Sequence, residues 1–474
     1  MRPALSVTSE CAPLVKTGGL ADVAGALPMA LAEEGWDLRT LLPGYPKVLE
    51  ATGKGRVVMT EDDLFGGPAS VRSVRHEGLR LYILDAPHLY DRDGGPYSDA
   101  SGADWPDNPA RFAALSWVAA RIGAEGLGKW TPEVLHAHDW QAGFAALYLS
   151  EMGTARPGTV LTIHNMAFHG LAPASARAAL RLPARGFGPD GYEFWSQISA
   201  LKAGLVWSDK ITTVSPSYAR ELLTPEFGAG MDGLLRARAD DLSGILNGID
   251  TETWNPATDP AIENYKSPGG KKRARAALRE EFGLPEADGP LCVVVSRLSD
   301  QKGLDILLDA LPALVDRGGQ LALLGSGDKT LEARYRAAAE HPNVAVHIGY
   351  DEALSHRMIA GADAILVPSR FEPCGLTQLY GLRYGAVPIV AYTGGLIDTV
   401  IPASPMAMRA GVATGIQFHP ATAHALAGAL IDAVALYKTP GAWADLQKNG
   451  MRQQVGWQSS APAYAALYDS VARR

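Results

Sequence analysis

The sequence has few cysteines, no excess of positive charge and no long apolar run, and each shortage argues against a class of protein. Its 474 residues contain 3 cysteines (Cys11, Cys292 and Cys374), spaced too widely to indicate a disulfide framework or a zinc cluster, so a reducing cytoplasm is expected. Lys and Arg number 43 against 51 Asp and Glu, and this net charge of −8 argues against a nucleic-acid partner. No apolar run approaches the ~18 residues of a membrane span and no signal peptide precedes the first strand-like run, so no membrane partner is expected.

The chain has instead a regular alternation of short apolar runs and helical stretches. Its length predicts two or three domains of ~150 residues, and apolar strands separated by helices indicate parallel sheets covered on both faces. In the first half we predict strands at Ala4–Thr8, Leu38–Leu42, Leu79–Leu84, Val134–Ala137, Thr159–Ile163 and Lys210–Val214. Helices are predicted there at Leu20–Glu34, Asn108–Glu125 and Ala142–Glu151.

The same pattern restarts in the second half. Its predicted strands are Leu291–Val295, Leu321–Leu324, Val344–Ile348, Ala364–Val367 and Pro388–Ala391, and its helices are Asp305–Leu314, Lys329–Ala339 and Gln378–Tyr384. Two such arrays predict two doubly wound α/β domains, at 1–246 and 269–455. The turn-rich, aperiodic segment NGIDTETWNPATDPA predicts a linker between them, at 247–268.

Ligands of open α/β sheets bind beyond the carboxyl ends of the strands, where loops meet helix N-termini. In the first domain Lys16-Thr17-Gly18-Gly19 stands at such a place. The glycines let backbone N–H groups approach an anion and Lys16 adds a cation, but a plain loop and helix cap is an equal alternative. The segment matches neither GxGxxG nor GxxxxGK[ST].

Histidines follow two further strands of the first domain, in HAHDWQAG and TIHNMAFHG. Their spacing fits no standard zinc ligand set, and buried histidines with satisfied hydrogen bonds are common. Imidazole and amide groups at strand ends also suit a polyhydroxylated ligand, with Trp140 and Phe168 able to stack on a sugar face. The sequence leaves these interpretations open.

Cationic and glycine-rich loops also follow strands in the second domain. Arg297 and Lys302 lie in SRLSDQKG, where they suit a diphosphate or are solvated surface charges. In VPSRFEPCGLT, Glu372 precedes a helix N-terminus and either binds sugar hydroxyls or caps the helix. Cys374 has no partner in sequence that would activate it as a nucleophile. Taken together, these loops predict a diphosphate-bearing ligand held across two Rossmann-like domains.

Several motifs together resemble one family. KTGGLADVAGALP, HAHDWQAG, TIHNMAFHG, GILNGID, VSRLSDQKGLD, SRFEPCGLTQ and TGGLIDTV are similar to segments of the bacterial glycogen synthases, the retaining, ADP-glucose-dependent group that includes plant starch synthases. The matching segments run in order from Leu5 to Tyr468. KTGGL and SRFEPCGLTQ are specific to this group, whereas the wider pattern around the Glu is shared by many retaining transferases.

The resemblance implies a GT-B architecture, with two Rossmann-like domains facing a deep interdomain cleft. It also implies a last helix, within 456–474, that crosses back to the N-terminal domain through Trp457, Tyr464, Leu467 and Tyr468. The implied activity is transfer of glucose from ADP-glucose to the non-reducing end of an α-1,4-glucan such as glycogen, with retention of the α configuration. No metal or other cofactor is implied, and the oligomeric state stays open.

The family's functional residues carry over position by position. Arg297 and Lys302 match residues that neutralise the donor diphosphate, Glu372 the carboxylate that orients the glucose, and His164 the histidine near the anomeric centre. The other matched positions surround the donor, the glucose and the acceptor end: Lys16, Gly18, Gly19, Asp22, Tyr97, Asp139, Trp140, Asn247, Tyr350, Cys374, Gly375, Leu376 and Thr377. Four residues depart from common patterns: Gln141, His169 and Tyr392, and Tyr380 where many retaining transferases have a second Glu.

Three alternatives differ from this expectation. Another GT-B enzyme would use a UDP- or GDP-sugar and a small acceptor. A dinucleotide-dependent oxidoreductase also has Rossmann domains, but the GxGxxG fingerprint is missing. A non-catalytic glucan-binding protein would not need Lys16, His164, Arg297, Lys302 and Glu372 together.

Overall fold

The apolar runs of the sequence form separate sheets in two units of the chain. The structure, a computed structural model, describes residues 1–153 and 157–473, so residues 154–156 of the predicted 1–246 domain and Arg474 of the predicted 456–474 segment lie outside it. The first unit comprises Met1–Val214, Ala219–Gly248 and Trp457–Arg474, and the second unit comprises Ser215–Tyr218 and Ile249–Gly456. Within the described ranges, every helix is too short or too polar to cross a membrane.

The first unit contains one large sheet and one small sheet. Its strands are β1 (Arg2–Val7), β2 (Trp36–Pro43), β3 (Arg56–Glu61), β4 (Ala69–His76), β5 (Leu79–Asp85), β6 (Val134–His138), β7 (Gly158–Ile163), β8 (Leu171–Pro173), β9 (Glu193–Phe194), β10 (Gln197–Ser199), β11 (Lys210–Thr213) and β12 (Leu242–Gly244). Nine form a sheet in the order β12-β11-β7-β6-β1-β2-β5-β4-β3, and β8-β10-β9 form a small antiparallel sheet. Ala4 on β1 lies opposite Leu38 on one side and Val134 on the other, in parallel register.

One edge of the large sheet is antiparallel, which corrects the prediction of purely parallel sheets. β4 runs antiparallel to both β3 and β5. The β4–β5 turn has two residues, Glu77 and Gly78, with φ of 45° and 84°, and two positive φ values are typical of the hairpin turn that matches strand twist. β3 and β4 are only partly buried, so they lack the continuous apolar runs by which the other strands were predicted.

Helices cover the sheets through apolar faces. As far as Gly248 they are α1 (Gly19–Glu33), α2 (Pro46–Thr52), α3 (Pro87–Tyr90), α4 (Asn108–Glu125), α5 (Ala145–Glu151), α6 (Ala200–Trp207), α7 (Pro216–Glu221) and α8 (Asp232–Ala237). In α1, Leu20, Val23, Leu27 and Leu31 recur at the spacing of one helix face and are all buried. The predicted helix Ala142–Glu151 divides into a short 3₁₀ turn, Trp140–Ala142, and α5.

The second unit contains a six-stranded sheet. Its strands are β13 (Leu291–Val295), β14 (Gln320–Gly325), β15 (Val344–Ile348), β16 (Ala364–Val367), β17 (Val387–Ala391) and β18 (Ile416–Phe418), in the order β15-β14-β13-β16-β17-β18. All neighbouring pairs are parallel. This is the Rossmann order 3-2-1-4-5-6, in which the connections reverse direction between β13 and β16 and leave a crevice beyond their carboxyl ends.

Ten helices lie in the described part of the second unit, one before the first strand and the others between or after the strands. They are α9 (Lys271–Phe282), α10 (Leu304–Ala310), α11 (Pro312–Val315), α12 (Lys329–Ala338), α13 (Glu352–Gly361), α14 (Thr377–Tyr384), α15 (Gly394–Thr399), α16 (Pro405–Ala410), α17 (Ala423–Lys438) and α18 (Ala442–Met451). The C-terminal ends of α13 and α14 meet at one buried ammonium group. Lys271 Nζ donates to the carbonyl oxygens of Ala360 at 2.6 Å and Tyr384 at 2.9 Å, which satisfies acceptors that a helix end leaves open.

The segment predicted as a linker, 247–268, belongs largely to the core of the second unit. Ile249, Trp254 and Tyr265 are buried there, and Trp254 stacks on Tyr380 with ring centroids 3.8 Å apart. The segment lacks helical or strand periodicity because it is an irregular connection. Its large apolar side chains are nevertheless buried, since removing them from water is favourable whatever the backbone conformation.

The C-terminal helix, α19 (Ala461–Val471), is part of the first unit. Trp457, Tyr464 and Tyr468 are buried in one cluster with residues of α1 and β1, and Leu467 packs half-buried against it. Tyr468 OH lies 2.7 Å from Nδ1 of His136 on β6. The residues that the sequence placed on one face of this helix therefore do contact the N-terminal fold.

Candidate active site

In the second unit the expected donor residues lie at the crevice between β13 and β16. A pocket there is lined by both strand ends and by the loops that follow them, including Ser296, Lys302, Ser369, Glu372 and Thr377. Because these loops leave adjacent strands at the point where the sheet order reverses, side chains separated by 70 positions in sequence meet.

An ion pair is the centre of this pocket. Lys302 Nζ donates to Glu372 Oε2 at 2.6 Å, and Ser369 Oγ donates to the same oxygen at 2.8 Å. Glu372 is 6% exposed. A buried carboxylate is tolerated when a cation and hydrogen bonds compensate its charge, which Lys302 and Ser369 do here. Ser369 was not among the residues that the sequence predicted for this site.

Two glycines hold the loops around Glu372 together. Gly303 has φ +63°, and a Cβ there would lie 2.0 Å from the carbonyl oxygen of Pro368. Gly394 has φ +47°, and a Cβ there would lie 2.0 Å from the carbonyl oxygen of Glu372, which also accepts a 3.0 Å hydrogen bond from Gly395 N. Any larger residue at either position would push the Glu372 loop away.

The loop before α14 presents its backbone to the same pocket. Gly375 has φ +72°, and no side chain caps α14 at Leu376, so the helix start carries backbone N–H groups suited to an anion. Gln378 fixes this loop, because its Nε2 donates to the carbonyl oxygens of Cys374 at 3.1 Å and Gly375 at 2.9 Å. Cys374 is buried beneath the loop.

The two remaining donor-side residues point outward. Arg297 is exposed, and Tyr350, 76% exposed, donates to the Glu352 carboxylate. Arg370, in the same motif as Glu372, is committed elsewhere, since both of its terminal nitrogens bind the Asp305 carboxylate at 2.6–2.8 Å.

In the first unit the KTGGL loop surrounds a carboxylate that sequence reasoning missed. Glu10 is buried and accepts hydrogen bonds from Thr17 N, from Thr17 Oγ1 at 2.6 Å, from Gly18 N at 3.2 Å and from Tyr97 OH at 2.5 Å. The backbone N–H of Gly18, expected to approach a ligand's anion, thus binds an anion of the chain itself. Lys16 Nζ pairs with Asp22 Oδ1 at 2.8 Å at the start of α1, near Gly19.

A pair of neutral histidines lies at the ends of β6 and β7. His138 Nδ1 is 2.9 Å from His164 Nε2, and His138 Nε2 is 3.1 Å from Ser6 Oγ. Burial lowers the pKa of His138 to about 3, and burial together with the neighbouring His138 lowers the pKa of His164 well below its usual value. Both rings are therefore uncharged at neutral pH, and one donates a hydrogen bond to the other.

Asp139 stands beside them in a strained conformation. Its φ of 55° and ψ of −166° lie in a region used almost only by glycine, and its Oδ1 accepts a 2.6 Å hydrogen bond from His164 N. Burial raises the pKa of Asp139 to about 7, although the backbone N–H groups of His164 and Asn165 act in the opposite direction. A strained, buried carboxyl that titrates near neutrality is typical of a functional position.

We expect Asp139→Asn to make the protein more stable than the wild type at pH 8. The native carboxyl keeps its proton to a higher pH than the unfolded one, so the native state binds more protons between about pH 4 and 7. The wild type therefore loses stability as pH rises through that window, by up to about 4 kcal/mol, and a neutral Asn does not. Urea unfolding at pH 5 and pH 8 measures this difference, with exposed Asp62→Asn as the control. A variant less stable than wild type at pH 8 would contradict the prediction.

Aromatic rings form a second feature of the first-unit site. Trp140 packs edge-on against Phe112 at 4.9 Å, and Phe112 contacts Tyr97 at 5.8 Å. Gly170, with φ +62°, permits close approach, because a Cβ there would lie 2.3 Å from the Trp140 ring. Phe168 is 55% exposed.

Asn247 has an unsatisfied polar atom. It is 7% exposed, and its Oδ1 has no hydrogen-bond partner among the described residues. Buried polar atoms are nearly always paired, so this oxygen is suited to a ligand hydroxyl.

The four residues that depart from common patterns have structural surroundings of their own. His169 contacts Phe194 edge-on at 4.7 Å, and Gln141 is buried in the 3₁₀ turn that follows β6. Tyr392 is half exposed beside His419, and Tyr380 stacks on Trp254. In the described ranges, no group of three or more His, Cys, Asp or Glu side chains could hold a metal ion.

The chain is similar to known proteins over its whole length. Residues 4–237 match the family model "Starch synthase catalytic domain", and residues 275–449 match "Glycosyl transferases group 1". Glycogen synthase of Paracoccus denitrificans is 61% identical over 473 residues and that of Jannaschia sp. is 60% identical over 476 residues, in both cases covering 100% of each chain.

Solved structures agree in fold. The catalytic domain of starch synthase IV from Arabidopsis thaliana, bound to ADP and acarbose, matches with a TM-score of 0.86 and 32% identity, covering 100% of this chain and 99% of that one. Sucrose-phosphate synthase from Thermosynechococcus elongatus, at 19% identity and a TM-score of 0.62, shares the fold over 99% of both chains. The predicted fold class, two Rossmann-like domains of the GT-B type, is confirmed.

Two Rossmann-like domains, with a compensated carboxylate at the switch point of one of them, define this protein as a glycosyltransferase. The chain belongs to the glycogen synthase family. The family expected from its motifs is thereby confirmed.

Proposed function

We propose that the second unit binds and activates ADP-glucose, and that the first unit binds the end of an α-1,4-glucan. The observation that carries this proposal is the Lys302–Glu372–Ser369 cluster at the switch point of the 3-2-1-4-5-6 sheet. Nucleotide ligands of such sheets bind at that crevice, and the cluster puts a cation and a hydroxyl-binding carboxylate side by side there. The ADP in the Arabidopsis relative supports the choice of base.

In this proposal the leaving diphosphate is stabilised electrostatically. Negative charge accumulates on the leaving phosphate as the bond to the anomeric carbon breaks. Arg297, Lys302 and the uncapped N-terminus of α14 (Gly375, Leu376 and Thr377) offer fixed positive charge and N–H donors to it. Preorganised charge of this kind is usually the largest contribution to catalysis. Tyr350, an exposed ring in the loop that follows β15, is proposed to cover the adenine ring.

Glu372 is proposed to bind glucose hydroxyls rather than to attack carbon. Its Oε2 already accepts hydrogen bonds from Lys302 and Ser369, which orient the carboxylate as an acceptor. The acceptor 4-hydroxyl then attacks from the face that the diphosphate leaves, and a phosphate oxygen takes its proton. This front-face route retains the α configuration without the carboxylate nucleophile that a double displacement requires.

The first-unit residues suit an uncharged, polyhydroxylated acceptor and the transferred glucose. Asp139 and the Asn247 oxygen accept hydrogen bonds, Trp140 and Tyr97 offer aromatic surface, and neutral His164 can donate or accept without introducing charge. Lys16, Asp22 and the two glycines of KTGGL complete this set beside buried Glu10.

The reaction is proposed to be cytoplasmic and to use no metal or organic cofactor. The three cysteines are buried and form no disulfide among the described residues, as expected of a reducing compartment. In this proposal Arg297 and Lys302 neutralise the charge of the diphosphate, which a metal ion neutralises in other transferases.

A donor panel tests the proposal. ADP-, UDP- and GDP-glucose are each supplied with glycogen, and nucleotide release and glucan growth are followed together. We expect ADP-glucose to support by far the fastest transfer, with release of ADP only when glycogen is present. Transfer to a small acceptor from UDP- or GDP-sugar would favour the other GT-B function, and glucan binding without ADP release would favour a non-catalytic role.

A further inference from the structure

Three polar side chains form a hydrogen-bonded row across adjacent strands of the first unit. Ser6 lies on β1, His138 ends β6, and His164 directly follows β7. His138 is fully buried between the other two, with its Nε2 3.1 Å from Ser6 Oγ and its Nδ1 2.9 Å from His164 Nε2. Both imidazoles are neutral because their pKa values are lowered, so each ring carries a single N–H hydrogen.

The Ser6 hydroxyl determines which ring nitrogens carry these hydrogens. Ser6 is buried, and within the described ranges its side chain has one hydrogen-bond partner, His138 Nε2. The hydroxyl therefore donates to that nitrogen, because the opposite direction would leave a buried hydroxyl hydrogen without an acceptor. The hydrogen of His138 is then on Nδ1, which donates to His164 Nε2. Since His164 Nε2 accepts, His164 carries its own hydrogen on Nδ1.

A further histidine holds the His138 ring in place. His136 precedes it by two residues on the same face of β6, and the two ring centroids lie 4.1 Å apart. His136 is itself fixed at both nitrogens, with Nδ1 2.7 Å from Tyr468 OH and Nε2 2.6 Å from Thr162 Oγ1. The buried ring of His138 thus packs against a neighbour that cannot turn without losing two hydrogen bonds.

The last nitrogen of the row, His164 Nδ1, is the one available to a ligand. His164 is only partly buried, and in the part of the chain that the structure describes its Nδ1 has no hydrogen-bond partner. Asp139 fixes the backbone of the same residue, because Asp139 Oδ1 accepts from His164 N. His138 has no exposed surface, so it can influence a substrate only through the His164 ring.

We propose that His138 is a positioning residue for glucosyl transfer, which together with Ser6 holds His164 in the tautomer that donates a hydrogen bond through Nδ1. The role of His138 rests on the proposed function, in which His164 lies beside the transferred glucose. A neutral N–H there binds an oxygen atom of the donor sugar in the transition state, and it adds no positive charge beside the anomeric carbon. The other tautomer would present a lone pair at the same place and lose this contact.

NMR of the full-length protein with isotope-labelled histidine nitrogens tests the tautomers without any substrate. In the wild type we expect His138 and His164 both to carry hydrogen on Nδ1, with their signals assigned by their loss in His138→Leu and His164→Ala. Ser6→Ala should populate the Nε2–H tautomers of both rings. Ser208→Ala removes another buried hydroxyl of the first unit, one without a hydrogen-bond partner among the described residues, and should leave the signals unchanged. Hydrogen on His164 Nε2 in the wild type would overturn the proposal.

Steady-state kinetics with ADP-glucose and glycogen test the positioning role. His138→Leu removes the donor to His164 and should lower kcat about tenfold, with the KM of each substrate within about threefold of wild type. His138→Asn has nearly the shape of Leu but keeps an N–H donor close to the position of Nδ1, so it should retain most of the turnover. In a His164→Ala background, adding His138→Leu should cause no further loss, because its effect passes through His164.

A structural role for His138 would give different results. Equal losses from His138→Leu in the wild-type and His164→Ala backgrounds, or an Asn variant no more active than the Leu variant, would overturn the proposal. Thermal unfolding verifies that each variant is folded. If His138→Leu does not fold, the smaller change Ser6→Ala decides, since unchanged tautomers in it would overturn the proposal. Failure of the proposed function would instead be seen in the wild type, as absence of glucosyl transfer in the donor panel.

Discussion

Glu372→Ala should lower the turnover number for glucosyl transfer by about 10²- to 10³-fold while the dissociation constant of ADP changes by no more than about threefold. The carboxylate is proposed to hold glucose hydroxyls in the transition state, a contact that ADP does not make. Removing it leaves Lys302 beside the crevice and available to the diphosphate, so nucleotide binding has no reason to weaken. Initial rates with ADP-glucose and glycogen, together with calorimetry of ADP, measure both quantities.

Two further variants show whether the loss of turnover is specific to the Glu372 carboxylate. Glu340→Ala removes an exposed carboxylate of the same unit and should leave both quantities unchanged. Ser369→Ala removes one of the two donors to Glu372 and should reduce turnover by a smaller factor, about tenfold. Near-normal turnover in Glu372→Ala would refute the assignment of Glu372, and an equal loss of ADP affinity would move its role to the nucleotide.

Lys302→Ala should weaken ADP and ADP-glucose together, by about 10- to 100-fold in dissociation constant. The ammonium contacts the diphosphate that both ligands share, so the loss should not depend on the glucose. The variant should also be less stable than wild type, because Glu372 is then buried without its counter-ion. Calorimetry of both ligands and urea unfolding check these expectations.

A double variant separates the loss of donor affinity from the loss of stability. In Lys302→Ala/Glu372→Ala no unpaired buried charge remains, so stability should return toward wild type while donor affinity stays low. Lys329→Ala, which removes an 87% exposed ammonium from the same unit, should bind ADP normally. Unchanged ADP affinity in Lys302→Ala would argue against a diphosphate role for this residue.

Four elements have the bounds that periodicity predicted: β13, β15, β16 and α4. For β13 and β16 the reason is burial, because a strand covered on both faces reads as an unbroken apolar run. β3 and β4 were missed for the converse reason, since half-exposed antiparallel strands alternate apolar and polar residues. The aperiodic segment after Gly248 was predicted as a linker although Trp254 and Tyr265 are buried in a core.

The sequence predicted those parts of the candidate site in which charged side chains come soon after the end of a strand. Arg297, Lys302 and Glu372 come directly after β13 and β16, and the loops after neighbouring strands of this sheet meet in space. Glu10 was missed because a single Glu before a loop has no distinguishing pattern. Its role depends on Tyr97, 87 positions away, and on N–H groups that only the folded KTGGL loop directs at it.

The sequence by itself determined the local order of strands and helices and the chemical groups placed at their ends, because both depend on residue periodicity and on residues adjacent along the chain. The tertiary structure alone decided which groups meet and how deeply they are buried. It paired Lys302 with Glu372, and it gave Asp139 a pKa of about 7 and a backbone conformation typical of glycine. Desolvation and hydrogen bonding depend on neighbours distant in sequence, which periodicity does not record.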